Sequence, residues 1–454
     1  MNFLVRNLIL GLALQFLLPI NAASATSIGS SPCTTDVTNS ATVEITTSGG
    51  YCYLVFKSGT NTWTVPAGLS SVSILLIGGG GAGGSGAFGG GGGAGGVVYD
   101  SSFSVTGGAS YLTSIGAGGT AGANTLQKAT NQSTNGSDTW FNSNSTLVAK
   151  GGGAGASYSY GQSAGSLCRG RDGGSGGGST ECADGSTNSG GATTQTVPAG
   201  ADAAYGNVGG STPSAANYSG GGGGGAGAVG TPSLVASSPG RGGDGINNFS
   251  TWLAAITTSM SGVSGWATAT TTGYIAGGGG GATGSPQVTG GFGGGGAGGV
   301  NTNSSTINGS AGVTNTGSGG GGASYNGNIG TGGAGGAGLI IVRYSAVDNT
   351  PPSFNSFALA GSATTANFRT AVVITANVTL SSKVTFSANG KNLPGCKAKS
   401  TSGSGSSHSV TCIWKPSTRG TVLLTASARS ISAGISSTTT PELNIRVSNR
   451  TGAR

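Results

Sequence analysis

Glycine bursts set the strongest constraint on this chain. Between Gly78 and Gly338 there are 83 Gly in 261 residues, whereas the other 193 residues hold only 14. They cluster as Gly78–Gly81, Gly89–Gly93, Gly151–Gly153, Gly220–Gly225, Gly277–Gly281, Gly293–Gly296 and Gly319–Gly322. Fixing one backbone residue costs about 1–2 kcal/mol, and glycine loses the most freedom. A run such as Gly220–Gly225 has no side chain whose burial could offset that cost. Its bare N–H and C=O groups can, however, approach other backbones closely. Extended helices with three residues per turn make no internal hydrogen bonds, so their amides must bond to neighbouring segments. Composition alone would also allow disorder. Yet short inserts with Val, Ile, Leu, Tyr, Phe or Trp separate the bursts, which a flexible Gly/Ser linker would not carry. These features predict an ordered bundle of glycine runs closed by β-hairpins, with loops presenting the side chains available for recognition. Collagen is excluded, since 13 Pro and no three-residue glycine period cannot build it.

The first residues bear on compartment. Residues 1–25 carry Arg6, an apolar run from Leu8 to Leu18, Pro19 and the small residues Ala23-Ser24-Ala25. This is the three-part layout of a secretory signal peptide, with an apolar run too short to span a bilayer core of ~30 Å. No later stretch is long and apolar enough for a transmembrane helix, so the mature chain is expected outside the cytoplasm without one. An exported chain can keep disulfides. The six Cys fall into three local pairs, Cys33/Cys52, Cys168/Cys182 and Cys396/Cys412, enclosing 18, 13 and 15 residues. Six Cys allow 15 connectivities, and nearest-neighbour pairing is favoured because each pair sits in one compositional block. No pair has the C-x-x-C spacing of a zinc or redox site.

Residues Trp63-Thr64-Val65-Pro66-Ala67-Gly68, then Val72-Ser73-Ile74-Leu75-Leu76-Ile77 running into Gly78–Gly81, resemble the opening of the bacterial glycine-rich domain. Gly95-Gly96-Val97-Val98, Ser114-Ile115-Gly116-Ala117-Gly118-Gly119, Gly136-Ser137-Asp138-Thr139-Trp140-Phe141 and Gly335 to Tyr344 follow in the family's order. Similar domains occur in exported surface proteins and phage tail-tip adhesins. The resemblance implies a binding or structural role over residues 63–345 and supplies no catalytic residue. Residues 26–62 are read as a disulfide-stapled strand region ahead of it. One departure is the long insert from Ile246 to Ala276, with Trp252, Trp266 and Tyr274 among many Thr and Ser. These aromatics are candidate glycan contacts. The preferred reading is that they cap the glycine bundle by burying apolar area.

Past a linker at 346–352 that contains Pro351-Pro352, the bursts stop. Alternating runs Ala371–Leu380, Lys383–Ala388, Ser409–Trp414, Thr421–Arg429 and Glu442–Val447 argue for a small antiparallel β-sandwich at 353–448, followed by a basic tail at 449–454. Cys412-Ile413-Trp414-Lys415-Pro416 and Arg419-Gly420-Thr421-Val422 resemble bacterial immunoglobulin-like repeats, and Cys396–Cys412 is expected to tie two neighbouring strands. The fold class expected overall is all-β, with little helix beyond the signal peptide.

Charge divides along the same line. Residues 351–454 carry 11 Lys and Arg against Glu442 alone, whereas residues 26–350 carry 7 basic and 10 acidic residues. Lys383, Lys391, Lys397, Lys399, Lys415 and Arg419 are candidate contacts for an anionic cell-wall or surface polysaccharide. A solvated face that aids solubility explains them equally well. Nucleic acid is not expected, because no binding motif accompanies the charge.

Catalytic motifs are weak. Gly173-Gly174-Ser175-Gly176-Gly177 matches a nucleophile elbow only because glycine is everywhere, and Gly390-Lys391-Asn392 is no phosphate loop. The single His408 falls in a Ser/Gly-rich stretch that reads as an exposed turn. No enzyme, cofactor or metal is expected. Two readings remain: an exported surface-recognition module, or a purely structural component of an envelope, matrix or filament.

Overall fold

The computed structural model describes residues 25–449 apart from residues 31, 123, 126–127, 130–131, 158–167, 182–186, 214–218, 235–237, 302–306, 326–327, 329, 347–350, 432–433 and 438. The expected signal peptide, save Ala25, therefore lies outside the described residues, as do Cys182, most of the 346–352 linker and all of the basic tail but Asn449.

The first unit contains β1 (Thr26–Ile28), β2 (Thr35–Val37), β3 (Val43–Ser48), β4 (Tyr51–Phe56), β5 (Thr60–Thr64), β6 (Ser71–Ile77) and β7 (Val97–Ser104). There follow β8 (Ser110–Ser114), β9 (Asn124–Thr125), β10 (Lys128–Ala129), β11 (Thr139–Phe141), β12 (Leu147–Ala149), β13 (Ala203–Tyr205), α1 (Ser250–Ala255), α2 (Trp266–Thr270) and β14 (Leu339–Ser345). A central antiparallel sheet runs β13-β7-β6-β14-β4-β3, and a second runs β1-β2-β5-β8-β11-β12. The opening strand β6 pairs directly with the closing strand β14, Ile77 opposite Leu339 and Leu75 opposite Ile341.

Why β4, β6 and β14 carry unbroken apolar runs (53–56, 74–77 and 339–342) follows from period-two geometry. Leu54, Phe56, Ile74, Leu76, Ile340, Val342 and Tyr344 face a core shared with Trp63 and Phe141 of the second sheet. Their neighbours Tyr53, Val55, Leu75, Ile77, Leu339 and Ile341 face the opposite side, where the 246–276 insert packs. A strand buried on both faces has no position left for a polar residue. The sequence boundary at 62/63 falls inside β5, and β3 and β4 share the central sheet with β6 and β14. Residues 26–62 are thus part of the same folded unit rather than a region ahead of it. The Cys33–Cys52 disulfide is formed. Cys168 is disulfide-bonded too, while its expected partner Cys182 lies outside the described residues.

From β6 the chain runs straight into the glycine bundle. Gly78, Gly79 and Gly80 donate to the carbonyls of Gly96, Ser137 and Gly336, and Gly81, Ala82 and Gly83 repeat the series on Gly93, Thr134 and Gly333. Every third amide returns to the same neighbour, as three residues per turn requires. Carbonyls of the run point to three further segments, Gly79 accepting from Gly152, Gly80 from Gly119 and Gly81 from Gly320. The run is therefore enclosed on all sides by other backbone. Gly89–Gly96 is held likewise, donating in turn to the segments of Ala323, Ala156 and Gly221. Close approach, not a left-handed backbone, is what demands glycine here. A Cβ on Gly92 would lie 2.1 Å from the Gly81 carbonyl oxygen, and one on Gly80 would lie 2.0 Å from that of Ser318.

The second unit comprises β15 (Phe354–Leu359), β16 (Thr365–Asn367), β17 (Val372–Val378), β18 (Ser382–Ala388), β19 (Lys391–Asn392), β20 (Lys399–Ser400), β21 (Ser402–Ser404), β22 (Ser407–Trp414), β23 (Gly420–Ser430) and β24 (Glu442–Ser448). It is a sandwich of two sheets, β15-β17-β22-β21 and β16-β24-β23-β18-β19 with β20 on β18. Ile374, Val378, Phe386, Trp414, Leu424 and Ile445 fill the space between them. Two expectations are corrected. Cys396 lies on no strand, and its carbonyl accepts from Phe386 N–H of the second sheet. Cys412 sits on β22 of the first, so the Cys396–Cys412 bond spans the sandwich rather than tying neighbouring strands. His408 is not in an exposed turn. It lies on β22, only 9% exposed, with Nε2 3.0 Å from the Gly405 carbonyl.

Candidate functional site

The aromatic insert divides its residues between core and surface. An isolated bridge between Ile246 and Ile275 closes it at the base, and α1 and α2 turn its apolar side chains onto the central sheet. Trp252 is 4% and Trp266 1% exposed. Trp252 meets Tyr53 edge-on at 5.9 Å and Tyr99 at 5.8 Å. The Arg343 guanidinium lies over its ring at 4.6 Å and over Tyr51 at 4.8 Å. Neither tryptophan offers a face to a ligand in solution. As glycan contacts these two are ruled out by burial, and they do what a capping residue does.

Tyr274 is different. It is half-buried and lines an open cleft of about 590 Å³ together with Tyr205, Asn207, Asp244, Asn247 and Asn248. Strand β13, pairing with β7, carries Tyr205 to one wall. Tyr274 stands on the other wall because Ile275, next to it, is pinned to Ile246. The floor comes from the glycine bundle through Gly206, Ala226 and Gly227.

The polar groups of this cleft are anchored. Asp244 Oδ1 accepts from Arg241 Nη2 at 2.7 Å and from the Phe292 N–H at 2.8 Å, and its backbone carbonyl accepts from Gly227 and Ala228. That leaves Oδ2 for a ligand. Asn207 donates through Nδ2 to the carbonyls of Gly225 and Ala226 at 2.9 and 3.0 Å, which leaves Oδ1. Asn248 Nδ2 donates to the Tyr205 hydroxyl at 3.3 Å. Tyr274 rests against Phe292 at 5.6 Å between ring centres, and Arg241 covers the far partner at 5.0 Å. Two phenol rings with apolar faces beside fixed acceptors suit a polyhydroxylated ligand, whose C–H and O–H groups alternate. Among the described residues no group of His, Cys, Asp and Glu could hold a metal ion.

The sequence singles out Tyr274 but not Tyr205, Asn207 or Asp244. The two tyrosines do share a signal: Tyr205 directly precedes Gly206, and Tyr274 stands three residues before the Gly277 run.

The comparison with known families settles what scaffold this is. The glycine-rich domain family matches residues 56–345, well over half of the chain. The chain belongs to the glycine-rich domain family. No curated protein matches it in sequence. The match to the glycine-rich domain starts at the last residue of β4 and ends with β14, so it takes in β6, β14 and the glycine bundle between them.

The basic candidates lie outside the glycine-rich domain. Lys391 and Lys415 line a common cleft of about 570 Å³. Lys383 stands opposite Ser400 and Arg429, and Lys399 opposite Val384. Lys397 is exposed in the segment before β20. Arg419 stacks on Phe368 at 4.2 Å and donates to Asn449 Oδ1 at 2.7 Å, so it is already engaged.

Proposed function

We propose that this is an exported, non-enzymatic bacterial surface protein, whose glycine-rich domain presents the Tyr205–Tyr274 cleft to a glycan or cell-envelope polymer. The observation that carries the reading is the placement of two tyrosine rings and the anchored Asp244 around one open cleft. Backbone-to-backbone bonding makes the floor rigid, so little ordering cost falls on binding. Export rests on the signal-like leader and on the disulfides, which persist in oxidising compartments. The C-terminal sandwich is read as an immunoglobulin-like spacer whose basic residues favour an anionic surface.

A glycan array probed with the mature chain, followed by titration of the best ligand, tests this. Tyr274→Ala and Asp244→Asn, the latter keeping an Oδ1 acceptor for the Phe292 N–H, should each weaken binding about tenfold or more, the equivalent of ~1.4 kcal/mol, at a stability cost under about 1 kcal/mol. Unchanged binding in both variants would sink the cleft. A structural role in an envelope or filament would then be the better account, since assembly tolerates single changes at loop positions.

A further inference from the structure

A second surface lies on the sandwich, far in chemistry from the tyrosine cleft. Strand β22 pairs with β17 from His408 to Trp414, but on its other side β21 covers only Ser407–Ser409. Among the described residues, that other edge has neither a strand partner nor a loop hydrogen bond from Val410 to Trp414. Beside this edge runs the 570 Å³ cleft, with Lys391, Leu393 and Pro394 on one wall and Ile413, Trp414 and Lys415 on the other. Ile413 is 68% exposed, and Val373, its cross-strand neighbour, 36%. The Cys396–Cys412 bond ties the two sheets next to this groove, so its walls are preset.

We propose that this groove docks an extended acidic peptide segment of another protein, which adds to the free edge of β22 as a further strand. Main-chain hydrogen bonds to an open edge supply affinity, and alternate side chains supply specificity. Alternate residues of such a strand would lie against Ile413 or reach Lys391 and Lys415. Charge selects the occupant. Residues 351–454 hold 11 Lys and Arg and one acid. Edge-to-edge pairing of two copies would bring like charges together, whereas a Glu- or Asp-bearing strand is attracted.

The test uses the full mature chain and a synthetic peptide of alternating Glu and Val. The peptide should bind, slow amide exchange across residues 410–414, and lose at least tenfold in affinity in a Lys391→Glu/Lys415→Glu variant that melts like the parent. The proposal is overturned by failure to bind, or by binding without protection at 410–414. It is equally overturned if polyglutamate, an acidic polysaccharide or a proline-interrupted peptide binds as tightly, since plain charge attraction would then suffice.

Discussion

The amide of Gly92 donates to the carbonyl of Gly320 at 2.8 Å. Its carbonyl accepts from the Gly279 N–H, also at 2.8 Å, and on its remaining side a Cβ would lie 2.1 Å from the Gly81 carbonyl oxygen. This single residue thus binds two neighbouring segments with its backbone and admits a third through its missing side chain. Gly92→Ala forces one of those backbones to move, and because the neighbours are themselves enclosed the shift cannot stay local. We expect a loss of about 3 kcal/mol or more, read by denaturant unfolding. Gly262→Ala meets nothing within 4 Å and should stay within about 0.5 kcal/mol.

Trp252 and Tyr274 come from the same insert yet should behave oppositely. Trp252→Ala removes a ring packed against Tyr53, Tyr99 and the Arg343 guanidinium, at a cost of about 3–5 kcal/mol. Tyr274→Ala removes a half-buried ring from a cleft wall and should cost under about 1 kcal/mol. Thermal melts of the two variants side by side decide this.

Asp100 on β7 is 4% exposed. Burial pushes its carboxyl above the ordinary value of 3.8, against the lowering effect of the Ser102 N–H, and the nearby Asp202 charge raises it further. A raised folded-state value contributes stability at low pH that is lost as pH rises through it. Asp100→Asn keeps an acceptor for Ser102 but carries no charge. It should therefore melt above the parent near neutral pH and match it in acid. A gain that persists undiminished in acid would show that charge is not the cause.

The Cys396–Cys412 bond closes a separation of 16 residues and joins the two sheets of the sandwich. Replacing both with Ser should destabilise that unit by about 3 kcal/mol on the loop-entropy account. Calorimetry should show the loss in the sandwich transition, with the glycine-rich unit's own transition in place.

Much of the scaffold is legible along the chain. Ile74 to Ile77 and Leu339 to Val342 are continuous apolar runs, and a run of that kind at strand length points to burial on both faces. Glycine bursts separated by apolar inserts point to backbone packed on backbone, because no other interaction is open to them. The alternation in β17, β18, β22, β23 and β24 marks the sandwich to within a residue or two at most ends. Hydrophobic period and the missing Cβ are local properties, so the sequence by itself determines them. Which partners meet is not local. That Gly78 bonds Gly96 while Gly79 bonds Ser137, that Cys396 reaches across the sandwich, and that Tyr205 and Tyr274 line one cleft while Trp252 turns inward all depend on segments far apart in the chain. Glycine runs are chemically interchangeable, so their order around one another carries no sequence signal. Only the closing of the strands around them decides it.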